Sequence, residues 1–166
     1  MPDGSAVAFE SANLLNDNRH VTYDVCACNT VSNVTEVISA PHLALWSQTP
    51  NGISGFTSFS ISSNGQFAAF ASDGDNLVSN DTNVLPDVFV RDLALGTNRL
   101  VSASTNGVPG NGLSAEPAIS GDGRYVAFTS AANDLSPGVT NNGQNVFVRD
   151  TQAGTTALVS VNTDGV

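Results

Sequence analysis

Short apolar runs alternate along this chain with clusters of Gly, Asn, Asp and Ser, and the alternation comes back with a fixed spacing. Asp87-Val88-Phe89-Val90-Arg91-Asp92 returns as Asn145-Val146-Phe147-Val148-Arg149-Asp150, exactly as far on as Ala127-Phe128 lies from Ala69-Phe70, a step of 58 residues. Leu100-Val101-Ser102 returns as Leu158-Val159-Ser160 at the same step. Gap-free repetition at about this length reads as stacked copies of one supersecondary unit. Within the last copy the pattern predicts strands at 116–120, 124–129, 145–150 and 156–161, with tight turns at Gly121-Asp122-Gly123 and around Gly154. Asp-Gly between two apolar runs is a hairpin signal, and several such runs in series make an antiparallel meander. Val146-Phe147-Val148 is apolar on both faces, as in a sheet stacked between two others.

A third, worn copy opens the chain. Ala8-Phe9 matches Ala69-Phe70, Tyr23-Asp24-Val25 matches Pro86-Asp87-Val88, and Val37-Ile38-Ser39 matches Leu100-Val101-Ser102, with an offset that drifts from 61 to 63. This copy has Cys26 for Phe89 and Cys28-Asn29 for Arg91-Asp92. The units fall at about 1–52, 53–110 and 111–166, and they supply eleven strands. Repeated four-stranded meanders that stack face to face are propeller blades, so the expected fold is all-β, with about three blades. Met1 falls on a repeat turn, so the chain reads as starting inside a blade.

This topology places the loops. The first-to-second and third-to-fourth strand links are tight turns at one end. The long links, 73–85 and 103–114, emerge together at the other end. Any binding face is expected there, carried by Asp73, Asp75, Asn76, Asn106 and Asn111.

Ile119-Ser120-Gly121-Asp122-Gly123-Arg124-Tyr125-Val126-Ala127-Phe128 resembles the signature of the WD40-like repeats called PD40, the repeats of TolB-type β-propellers. Ser62 to Phe70, followed by Val88 to Asp92, repeats the resemblance. It spans nearly the whole chain and is weakest over 11–55. What it implies is a propeller fold and a location outside the cytoplasm, secreted or periplasmic. It also implies a role as a binding scaffold or as the non-catalytic partner of enzyme domains. Fold alone carries no activity.

Composition narrows the partners. Five Arg, no Lys and fifteen acids leave a net charge of −10, so nucleic acid and anionic membrane surfaces are not expected partners. Protein partners are, further copies of this chain included. No apolar run approaches the roughly 20 residues of a membrane span, and the N-terminus lacks a signal-peptide pattern.

Candidate chemistry is sparse. Asp81, Asn83 and Asp87 form an oxygen-rich segment of the kind that holds calcium, the one cofactor the sequence suggests. A solvated, Asx-rich turn is the competing reading, and the last copy has Val139 and Asn145 at the matching positions. Cys26 and Cys28 share a strand face about 6.6 Å apart, near the limit for a disulfide. With His20 or His42 they lack two ligands of a soft-metal site. Cys26 therefore reads as a small core residue and Cys28 as a thiol. Arg91-Asp92 and Arg149-Asp150 recur in successive copies, as structural residues do. Glu10, Glu36 and Glu116 are scattered, and neither a nucleophile elbow nor a phosphate loop occurs, so no catalytic residue is assigned. The functional expectation is a non-enzymatic scaffold. Closed propellers have 4–8 blades, so about three leave three outcomes, namely a piece of a longer propeller, two copies closing a six-bladed ring, or an open filament, and the first functional alternative is a self-assembling ring or filament. A hydrolase or lyase with its site at the propeller mouth comes last. Leu43, Trp46 and Phe56 lie outside the repeat pattern and are candidates to cover an exposed end.

Overall fold

The computed structural model describes residues 6–13, 22–29, 34–39 and 51–161. His20, His42, Leu43 and Trp46 lie outside the described residues. Among the described residues, eleven strands form three antiparallel meanders, with no helix between them. The first sheet holds β1 (Ala6–Asn13), β2 (Thr22–Asn29) and β3 (Val34–Val37). The second holds β4 (Ser54–Ile61), β5 (Phe67–Ser72), β6 (Asp87–Asp92) and β7 (Thr97–Leu100). The third holds β8 (Ser114–Ile119), β9 (Tyr125–Ser130), β10 (Asn145–Asp150) and β11 (Thr155–Leu158). In each sheet the strands pair in sequence order, the arrangement of a propeller blade.

The period-2 alternation of strands decides what lies between the sheets. Phe70 pairs with Phe89 and Phe128 with Phe147, and in each pair the rings stack, with centroids 5.9 and 5.8 Å apart. Phe70 and Phe89 face the first sheet, where Val25 and Ile38 meet them with Ala68, Leu77 and Leu100. Phe128 and Phe147 face the second sheet, where Ala69, Ala71, Val88, Val90 and Val101 receive them. Each interface thus joins an aromatic face to a face of small and β-branched residues. In β6 all six residues are buried, as a strand covered on both sides requires. The equivalent β10 differs: Phe147 is fully buried, but Val146 is 38% exposed. The expectation of two covered faces holds for the middle sheet and not for the last, whose outer face has no neighbour among the described residues.

In the first sheet Phe9 pairs with Cys26, in the manner of Phe70 with Phe89. Cys26 is buried and Cys28 half-buried, and they are not joined to each other. The shorter Cys26 side chain occupies an aromatic position of the repeat.

The recurring sequence motifs are turn chemistry. Asn64 Oδ1 accepts the Gln66 N–H and Ser62 Oγ accepts the Phe67 N–H. Asp122 and Ser120 do the same for Arg124 and Tyr125. At the following turn, Asp92 Oδ1 accepts the N–H groups of Ala94 and Leu95, and Asp150 Oδ1 those of Gln152 and Ala153. Arg149 Nη1 reaches across to the carbonyls of Ala103 and Ser104, each at 2.9 Å, and so ties the last sheet to the link that precedes it.

Candidate functional site

The long loops lie together at one end and are joined by hydrogen bonds. Asn80 Nδ2 donates to the Gly107 carbonyl at 3.2 Å, and Asn83 Nδ2 to that of Gly110 at 2.8 Å. The segment entering β4 clasps the 73–86 loop: Asn51 N–H donates to Asn76 Oδ1, Asn51 Nδ2 to Asp75 Oδ1, and Asp75 N–H to Asn51 Oδ1. Asp73 accepts the Ile53 N–H. Gly52 permits this contact, because a Cβ there would meet the Asp73 carboxylate and the Gly74 backbone. The third sheet repeats the clasp: Asn111 N–H donates to Asp134 Oδ1, Asn111 Nδ2 to Asn133 Oδ1, and Asn133 N–H to Asn111 Oδ1.

Of the five residues expected to carry a binding face, Asp73, Asp75, Asn76 and Asn111 therefore hold loops in place. Asn106 stands exposed in a turn closed by the Gly107 N–H on the Ser104 carbonyl. The outcome is a polar surface whose backbone is fixed in advance.

Asp81, Asn83 and Asp87 sit in the same loop but play different parts. Asp87 is fully buried, with Ser102 Oγ donating to Oδ1 at 2.5 Å and Asn83 Nδ2 to Oδ2 at 2.8 Å. Burial pushes its carboxyl up to about 7, against those two donors and with the charge of Asp81 adding to the rise. The third sheet keeps this arrangement without the acid: Asn141 Nδ2 donates to Asn145 Oδ1, and Ser160 Oγ to the same atom. Asn83 and Asp87 are thus parts of a recurring loop anchor. The sequence pattern held a signal for it, the recurrence of Ser102 as Ser160, although Ser102 was not among the candidate residues.

Asp81 has no such precedent. It is 8% exposed, and its Oδ1 has no hydrogen-bond partner. Burial raises its carboxyl above the usual range, opposed by the Asn83 backbone N–H and reinforced by the charge of Asp75. The matching Val139 packs against the apolar core. Val84, next in the loop, has φ 57 and is 76% exposed, a left-handed conformation that β-branched residues rarely adopt. Among the described residues, no three Asp, Glu, His or Cys side chains stand close enough to share one metal ion.

No protein-family model matches this chain, and no curated protein matches it. Solved structures do. Over 95% of its length the chain is similar to 30% of the TolB chain from Acinetobacter baumannii, with a TM-score of 0.53 and 14% identity. For a putative TolB from Agrobacterium tumefaciens the TM-score is 0.55 at 13% identity, covering 95% of this chain and 46% of that one. The β-propeller domain of the Trilobed protease from Pyrococcus furiosus, described as having an open velcro topology, aligns over 93% of this chain and 38% of its own, with a TM-score of 0.57 and 14% identity. The chain thus spans less than half the length of these structures. At such identity the likeness shows the fold alone, a TolB-like β-propeller.

Proposed function

We propose that this chain works as part of a propeller of PD40-type repeats, a non-enzymatic scaffold that binds proteins outside the cytoplasm. The observation that carries this reading is the loop face. Its connections are held by the Asn51 and Asn111 clasps and by the Asn80 and Asn83 links. A surface fixed beforehand loses little entropy on binding, which is the property a recognition face needs. Its carboxylates and the net charge of −10 suit a partner that presents basic residues.

The test is retention of partners from a secreted or periplasmic extract by three immobilised forms. These are the wild type, an Asn106→Arg variant on the loop face, and a Gln152→Arg variant at the opposite end, where Gln152 is exposed. A protein held by the wild type and the Gln152 variant but lost with the Asn106 variant supports the reading. Retention that ignores the loop face, or fails only with the Gln152 variant, overturns it.

A second reading, self-assembly through the sheet ends, is favoured by one specific observation. Tyr125, Val146 and Val159 on the last sheet are 42%, 38% and 51% exposed. At the other end Val7 and Phe9 are 52% and 39% exposed.

A further inference from the structure

The internal repeat acts as a control for the loop residues, and it sets three acids apart, as it does Asp73, whose counterpart is Ala131. Asp75 and Asp81 belong to the loop between β5 and β6, and Asp87 opens β6. One repeat later their places are taken by Asn133, Val139 and Asn145, none of them charged. The later loop closes without a carboxylate at any of these positions. Asn133 makes the Asn111 contact that Asp75 makes with Asn51, and Asn145 makes the Ser160 contact that Asp87 makes with Ser102. The later clasp carries its acid at Asp134, where the earlier one has Asn76, so the fold needs no charge at 75, 81 or 87 in particular.

We propose that the 73–86 loop binds a calcium ion at Asp81, with Asp75 supplying nearby negative charge. The orphaned Oδ1 of Asp81 carries the argument, being a carboxylate oxygen buried with no donor to satisfy it. A buried carboxylate oxygen without a donor is costly, and either a cation or a proton removes the cost. Calcium takes several oxygens at flexible geometry from one short segment, backbone and amide carbonyls among them. That suits a loop in which one carboxylate is the primary ligand and no three acids converge. The smaller magnesium ion needs near-octahedral geometry and fits such a loop less well. This inference stands apart from the proposed scaffold role, since a loop can hold an ion whether or not its face binds a partner.

The test is thermal unfolding and calorimetric titration of the full chain in EDTA, in calcium up to about 10 mM, and in magnesium over the same range. Two variants carry the residues of the next repeat, Asp81→Val and Asp75→Asn. Asp81→Asn is the reserve if the valine variant does not fold. In the wild type, calcium at about tenfold over its Kd is expected to raise Tm by about 3–6 °C, with magnesium giving a smaller shift. Asp75→Asn is expected to weaken binding by roughly tenfold. In Asp81→Val or Asp81→Asn the calcium response disappears, while Tm in EDTA equals or exceeds that of the wild type. A wild type whose Tm and titration heat ignore calcium overturns the proposal, as does an unchanged response in the Asp81 variants.

Discussion

Asp87 shows how far one side chain's protonation reaches into stability. An unfolded Asp titrates near 3.8, whereas the buried Asp87 is pushed up to about 7. Between those values the folded chain holds a proton that the unfolded chain has released. The stabilisation is complete below about 3.8 and is lost as pH rises through about 7. Asp87→Asn copies Asn145 and removes this dependence. In EDTA, urea denaturation of the variant is expected to match the wild type near pH 4. At pH 8 the variant should be more stable by roughly 1–3 kcal/mol. A variant that is weaker at pH 8 would mean the carboxylate makes a contact that an amide cannot. Asp150 behaves in the opposite sense: Arg124 holds it down to about 2, so its contribution is present above the ordinary carboxylate range and fades as pH falls through about 2. Val84 is a different kind of residue, strained rather than titrating, since its left-handed backbone costs about 1–2 kcal/mol that Gly does not incur. Val84→Gly is expected to raise the unfolding free energy by about 1 kcal/mol in chemical denaturation, and a loss would show that the exposed side chain makes contacts in solution.

At the scale of elements, the Ser-x-Asp-Gly turn before β9 joins local chemistry to packing between sheets. Gly123 has φ 78, and a Cβ there would collide with the Phe67 ring on the neighbouring sheet. Gly107 has a similar φ of 75 with nothing within 4 Å. Gly107→Ala therefore isolates the backbone penalty, about 1 kcal/mol, while Gly123→Ala adds the displacement of Phe67 and is expected to cost about 2–4 kcal/mol. Equal losses in chemical denaturation would show that the turn, and not the sheet contact, sets the requirement for glycine. These turns were legible beforehand because their chemistry is local: Ser62, Asn64 and Gly65 act within five residues of one another. Strand order was legible for the same reason, with each strand pairing with the next in sequence. What escaped was set by tertiary contact. The entry to the first strand of a blade differs, since Ser54 precedes Ile61 by two residues more than Ser114 precedes Ile119, with a bulge in each pairing absorbing the difference. The burial of Asp81 escaped too, because a polar residue in an Asx-rich loop reads as solvated until the packing around it is known. Sequence spacing grouped Asp81 with Asn83 and Asp87, and only the hydrogen bonds separate the orphaned carboxylate from the loop anchor.

For the molecule as a whole, the decisive feature is that the same pair of faces meets twice between the three sheets, while among the described residues the outer faces of the first and last sheets have no neighbour. Phe70 and Phe89 pack on the first sheet, and Phe128 and Phe147 on the second. The last sheet presents Val146 and Val159 where the middle sheet buries Val88 and Val101. The first presents Phe9 where the middle sheet buries Phe70. A sheet bearing the aromatic face would therefore seat on the last sheet as Phe128 and Phe147 seat on the second, in the geometry the repeat already uses twice. Because the contact is head to tail, copies of the chain would close a ring if the rotation allows and extend a filament if it does not. Light scattering tests this with the wild type and a Val146→Glu, Val159→Glu double variant. If the ends join, the wild type exceeds its monomer mass of 17.0 kDa, and the variant returns to that mass while keeping its β-sheet circular dichroism. A discrete species in the wild type means a ring, and a broad distribution that grows with concentration means a filament. A wild type that stays at the monomer mass across the concentration range rejects self-assembly.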